Sequence, residues 1–292
     1  MPNMRAVPTV RRRRLGKALR QYRTDAQLSG EQVAELMGER WDGPKISRIE
    51  HATAKISAPE VAKFLDLCGV TDPEVITALE ELARNAGKTG WWSNYGTTAV
   101  PQHVEDLIAA ETEAKSVRCY HPNVIPGWLQ TAAYAREITT ATAFRIPPEE
   151  HPAIVDVRMA RQAVLTQPSG LPKWRFVLHE SLMMQRFVSH PSLMRDQLQR
   201  LLDVAELPNI ELQIMPLTAG PHPGASGTFT IFRFPRPWPP IAMTEDRHDM
   251  RYFEGEELAG EYEEAFERIL AAALPADQSR ETIKKHMEGH NR

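Results

Sequence analysis

Leu28-Ser29-Gly30-Glu31-Gln32-Val33-Ala34-Glu35-Leu36-Met37, followed shortly by Asp42-Gly43-Pro44-Lys45-Ile46-Ser47-Arg48-Ile49-Glu50-His51, decides how the first part of this chain folds. Ser29 and Gln32 have the spacing of a capping box, in which a hydroxyl and an amide satisfy backbone donors left unbonded at a helix start. Asp42 ahead of Gly43-Pro44 marks a second start, because proline is tolerated in a first helical turn and aspartate caps it well. Only 38–42 separate the two helices, so they meet sharply, as in a helix-turn-helix. In the second, Ile46 and Ile49 share one side, while Pro44, Ser47, Arg48 and His51 point the other way with Lys45 on the flank. Such a face offers donors to guanine edges and phosphates, as a recognition helix in the major groove does. An ordinary solvated helix carries the same residue types, and at this level both readings stand.

Working outward, Leu15, Ala18, Leu19 and Tyr22 recur at helical spacing ahead of this pair, and Ser57/Glu60 and Thr71/Glu74 repeat the capping-box pattern after it. The spacing predicts five helices over 11–26, 29–38, 43–51, 58–68 and 72–86. Arg11, Arg12, Arg13 and Arg14 fall largely off the apolar stripe of the first and head a basic block. Residues 1–70 hold 13 Lys+Arg against 8 Asp+Glu, a net of +5, on a chain whose total is −3. A basic block on an acidic body points to a polyanion for the first and another task for the second. The candidate DNA contacts are therefore Arg11, Arg12, Arg13, Arg14, Gln32, Pro44, Lys45, Ser47, Arg48 and His51.

These residues resemble the Cro/XRE class of helix-turn-helix repressors over roughly 11–70, through Leu28-Ser29, Val33-Ala34-Glu35-Leu36-Met37 and Lys45-Ile46-Ser47-Arg48-Ile49-Glu50. The resemblance implies a homodimer placing two recognition helices in successive major grooves of an operator. Two positions depart from that class: Gly30, where glutamine is common, and Ala52, where glycine is common.

The full 292 residues, 42% hydrophobic and 25% charged, are enough for two domains. No run approaches the ~18 apolar residues a membrane span needs, and no apolar leader follows the arginine-rich start, so a cytoplasmic protein is expected. Cys68 and Cys119 cannot make a disulfide framework. The domain reading is 1–88 for the helix-turn-helix domain, 89–100 for an aromatic junction around Trp91-Trp92-Ser93-Asn94-Tyr95-Gly96, 101–276 for the body and 277–292 for a solvated helix or tail. The junction tryptophans either bury area or stack bases, and burial is favoured.

In the body, helical spacing over 102–116, 149–166, 191–205 and 256–273 alternates with strand patterns over 117–120, 174–179, 210–215 and 228–234. The fold class read from this is a mainly α N-terminal domain of five helices followed by a larger mixed α/β (α+β) C-terminal domain. Val124 to Thr131, Tyr134-Ala135-Arg136, Arg158-Met159-Ala160-Arg161-Gln162, Leu207-Pro208-Asn209 and His222-Pro223-Gly224 resemble the C-terminal domain of actinomycete XRE-type regulators of the WhiJ class. That likeness implies transcriptional regulation and a small acidic partner protein, in an antitoxin-like or developmental role.

Arg158, Arg161 and Gln162 share one helix face at the edge of an apolar stripe through Val157, Ala160 and Val164. Two guanidiniums there need internal carboxylates, of which Glu111, Glu113 and Glu180 are candidates, or an anion from a ligand or partner. The internal reading is favoured, and the ligand or partner reading stays open. His179-Glu180-Ser181 holds types used in catalysis without a nucleophile elbow. His103, His121, His151, His179, His190, His222 and His248 lack metal-site spacing, and no GxGxxG or Walker pattern marks a nucleotide. No cofactor and no metal are expected. A regulator is the first reading; an enzyme acting on an anionic substrate through the arginine face and Glu180, with a DNA-binding appendage, is the second.

Overall fold

The computed structural model describes residues 9–86, 90–166, 172–187, 190–246 and 250–290. Residues 87–89 at the expected junction, His248 and the last two residues of the expected tail lie outside them. Two compact units result. The first runs to Asn94 and includes 101–110 and 236–238; the second takes 95–100, 111–235 and the chain from Pro239.

The first unit contains α1 (Val10–Asp25), α2 (Gly30–Met37), α3 (Gly43–Glu50), α4 (Ala58–Leu67) and α5 (Pro73–Asn85). Leu19, Val33, Ile46, Phe64, Leu65 and Leu79 are fully buried at its centre. The caps explain the boundaries. The Ser29 hydroxyl accepts from the Gln32 N–H at 3.1 Å while Gln32 Oε1 accepts from the Ser29 N–H at 2.7 Å. Asp42 Oδ1 accepts from the Lys45 N–H at 2.5 Å. Glu60 accepts from both the N–H and the hydroxyl of Ser57, at 2.8 and 2.7 Å. Burial pushes the Glu60 carboxyl up, yet these two bonds, with Lys45 and Arg40 nearby, bring it out below the usual carboxylate range.

The box expected at Thr71 and Glu74 is corrected: Pro73 opens α5, so Asp72 becomes the cap and accepts from the Glu74 N–H at 2.9 Å. At the other end, α1, α3 and α4 close alike. Gln27, Ala52 and Gly69 take left-handed φ values of 57, 61 and 75°. The next N–H then reaches back in a Schellman motif, Leu28 to Arg23, Thr53 to Arg48 and Val70 to Leu65. Gly16 sets how closely α1 meets α3: a Cβ there would lie 2.5 Å from the Glu50 carbonyl oxygen.

The second unit begins with α6 (Gly96–Ala99) and receives the end of α7 (Gln102–Glu113). β1 (Ser116–His121), α8 (Ala132–Thr142), α9 (His151–Arg161), β2 (Lys173–His179), α10 (Leu193–Ala205) and β3 (Ile210–Met215) follow. β4 (Phe229–Arg233), β5 (Ile241–Glu245), β6 (Met250–Glu254), α11 (Glu256–Ala272) and α12 (Ala276–Gly289) complete it. The six strands form one sheet in the order β3-β2-β1-β4-β5-β6, parallel from β3 to β1 and antiparallel beyond. The chain is thus α+β, with a helical first unit and a mixed sheet in the second.

Strand alternation divides the sheet's side chains between two faces. Tyr120, Val177, Met215, Phe229 and Ile231 pack against Phe266 and Ile269 of α11. On the opposite face Trp174 stacks on Phe176 with centroids 5.5 Å apart, and both meet Trp128 of a 3-10 turn, Gly127–Leu129. α12 is not a solvated tail. Its Ser279 hydroxyl accepts from the Ile214 N–H at 2.9 Å and the Leu274 N–H bonds the Ile214 carbonyl at 2.8 Å, so the α11–α12 junction covers the outer edge of β3.

Candidate functional site

On α3, Ile46 and Ile49 are buried at 1% and 2% exposure, which turns Pro44, Ser47, Arg48 and His51 to solvent. Arg48 keeps 55% of its side chain exposed, with Asp42 Oδ1 3.8 Å away as its ion-pair partner. His51 Nδ1 donates to the Ser47 carbonyl at 2.8 Å, which ties the ring one turn back along the helix. Lys45 Nζ sits 3.7 Å from the centroid of the Trp41 ring, a cation–π contact that holds its stem on the flank. Gln32 is exposed, and its carbonyl oxygen is committed to the Ser29 cap.

The seat of α3 is electrostatic as well as apolar. Arg23 grips Glu50 with two hydrogen bonds of 2.5 and 2.9 Å and donates to the Leu28 carbonyl at 2.8 Å. The Glu50 bond raises the Arg23 pKa. This bridge joins the end of α1 to the end of α3 and so fixes the register of the exposed face.

The arginine run divides. Arg13 is paired with Asp106 at 2.8 Å, and Arg14, 3% exposed, lies with its guanidinium 4.7 Å from the Trp238 ring. The burial of Arg14 corrects the expectation of a phosphate contact there, because α1 buries that side against its own unit, while Arg13 stays partly exposed beside Asp106. Arg11 donates to the Asn85 carbonyl at 3.4 Å. Arg12 lines a small cleft with Leu15, Ile49 and Lys55. Exposed Arg40 and Lys55 flank α3 and were not singled out from the sequence, since they lie in turns with no periodic context.

The aromatic junction proves to be local packing in part: Trp91 and Trp92 meet edge to face at 5.9 Å, and Trp92 Nε1 donates to Glu105 at 3.2 Å.

In the second unit Arg158, Arg161 and Gln162 do converge, around the turn that carries Trp128. Arg161 holds Glu111 by two bonds of 3.0 Å, and Glu111 also accepts from Trp128 Nε1 at 2.7 Å. Gln162 Nε2 donates to the carbonyls of Gly127 and Gln130 at 2.8 and 2.7 Å. Arg158 Nη1 donates to Gln130 Oε1 at 3.1 Å, with burial and then Arg161 lowering its pKa. Arg200 of α10, unmarked by any sequence spacing, donates to Gln162 Oε1 at 3.1 Å.

Glu180 is 2.8 Å from His286 and accepts from the Leu217 N–H at 2.9 Å. Burial pushes its carboxyl up, but these bonds bring it below the usual range. His179 Nδ1 accepts from the Ser181 hydroxyl at 2.7 Å and caps the local 3-10 turn. His121 is buried, its Nδ1 unbonded, and burial pushes its pKa down to about 4. No group of three metal-ligating side chains is found among the described residues. Among the same residues no helix is long and apolar enough to cross a membrane.

A family model described as a domain of unknown function (DUF5753) matches residues 104–285. A second, described as a helix-turn-helix domain, matches residues 14–79 and therefore spans α2 and α3. No curated protein and no solved structure matches the chain.

Proposed function

The chain belongs to the DUF5753 family and carries a helix-turn-helix domain ahead of that region, and from this premise we propose that it is a sequence-specific DNA-binding transcriptional regulator whose second unit receives a signal. The carrying observation is the face of α3, where Ser47, Arg48 and His51 are exposed over buried Ile46 and Ile49. Arg48 and Lys45 serve as base readers or phosphate donors, and Arg12, Arg40 and Lys55 supply positioning contacts.

We place it with the Cro/XRE regulators and the actinomycete WhiJ class, acting as a cytoplasmic homodimer on a near-palindromic operator. One recognition helix reads too few bases for genomic specificity, which supports two. The signal is a ligand or a small acidic protein rather than a substrate. The enzyme reading loses support because Glu180 is engaged by His286 and Leu217 and Arg161 by Glu111.

Selection of duplexes from a random pool by the full chain, followed by footprinting, tests this. Two protected half-sites about 10 bp apart are expected, and Arg12→Ala should weaken all sequences alike and lower the salt slope by about 1. Failure to enrich any sequence would overturn the proposal.

A further inference from the structure

We infer that the second unit holds a site for a small oxyanion, phosphate or carboxylate, built on Arg158 and Arg200. The inference rests on the regulator reading and names the ligand class of its sensing part.

Of the five groups around the Trp128 turn, Glu111, Arg161 and Gln162 are matched by their neighbours. Glu111 cancels the charge of Arg161, and both ends of the Gln162 amide are used, on two backbone carbonyls and on Arg200. Arg158 and Arg200 differ. Each donates to the side-chain oxygen of a neutral glutamine, Gln130 and Gln162 respectively, at 3.1 Å. Neither has a carboxylate within ion-pair distance among the described residues, and Glu245 acts on Arg158 only from farther away.

A glutamine oxygen accepts hydrogen bonds but neutralises no charge, whereas a guanidinium offers five N–H donors in a planar fork suited to an oxyanion. Two half-buried cations on neutral acceptors, with the like charge of Arg161 beside Arg158, lack the anion that would balance them. The amides also connect them: Gln162 Nε2 donates to the Gln130 carbonyl at 2.7 Å, so one hydrogen-bonded chain runs from α9 through the turn to α10. An anion shared by the two arginines would tie α9 to α10.

The test compares thermal unfolding of the full chain in inorganic phosphate, malonate and chloride at matched ionic strength. Phosphate or malonate should raise Tm by a few degrees over chloride. Arg158→Gln and Arg200→Gln should each abolish the gain. Arg48→Ala, which removes a cation from the DNA face, should keep it. The salt giving the larger gain identifies a phosphoryl or a carboxylate ligand. Where Arg158→Gln loses stability in chloride, Arg200→Gln carries the test. Equal Tm values in all three salts, or a gain that survives in the Arg158→Gln/Arg200→Gln double variant, would overturn the site. DNA binding is measured on the same preparations: loss of the anion effect with DNA binding intact removes this inference alone, and absence of DNA binding removes the regulator reading on its own.

Discussion

α3 carries Arg48 on the side away from its buried Ile46 and Ile49, whereas α9 carries Arg161 at the margin of its apolar stripe; Arg48 remains in solvent and Arg161 is bonded on both sides of its fork. The difference comes from what lies opposite. Among the described residues the outward face of α3 is exposed, with Asp42 as the neighbour of Arg48, so its cation stays available to a polyanion. α9 faces the Trp128 turn and Glu111, so its cation becomes part of the fold. An arginine's place relative to the apolar stripe, and the element across from it, together decide between binding and bracing.

Breaking the braced side gives the largest expected effect. Arg161→Ala leaves Glu111, 2% exposed, with Trp128 as its remaining partner, and should cost about 3–5 kcal/mol of stability in urea unfolding followed by tryptophan fluorescence. An unchanged midpoint would erase the contrast with Arg48.

His121 extends the comparison to pH. Its folded pKa of about 4 lies below the ordinary 6.5, so the unfolded chain binds the proton more readily. The resulting stability is fully present above about pH 6.5 and is lost as pH falls toward 4, by about 3 kcal/mol in all. His121→Gln should flatten that acid limb in midpoints taken between pH 7 and 4; the same slope in the variant would assign it to other groups.

Legibility in the sequence follows the same division. Four of the five N-terminal helices are marked by residues within three positions of each start, the first by the spacing of Leu15, Ala18, Leu19 and Tyr22, and α3's exposed face follows from the spacing of Ile46 and Ile49. Thr71 lost its expected role only to its neighbour, because Pro73 moved the cap to Asp72. Arg14 was misjudged because its partner, Trp238, lies far along the chain, as does Asp106, the partner of Arg13. In the body, α8 buries Tyr134, Ala135 and Thr139 rather than a branched apolar stripe, and β5 and β6 follow a proline-rich stretch that reads as loop. α12 reads as solvated because it buries only Ser279 and Ile283, and Ser279 acts through a hydrogen bond that no hydrophobic pattern reveals.

In the first unit, Gly16→Ala forces a methyl onto the Glu50 carbonyl and should destabilise by about 1–3 kcal/mol, with weakened DNA binding as α3 shifts. Full stability would mean that α1 and α3 give way without loss. Ala52→Gly should matter least. Relief of the left-handed alanine, worth roughly 1–2 kcal/mol, is offset by chain entropy and the loss of a buried methyl, leaving a change under about 0.5 kcal/mol. A larger loss in calorimetry would show that the methyl is a packing contact.

The most direct measurement is the affinity of Arg48→Ala for its selected duplex and for random duplex at two salt concentrations. A loss of about 1–3 kcal/mol on the selected sequence, with little change on random DNA and an unaltered melting temperature, is expected of a base-reading arginine on a solvent-facing helix. An equal loss on both duplexes, or none on either, would contradict the assignment of α3 as the reading element.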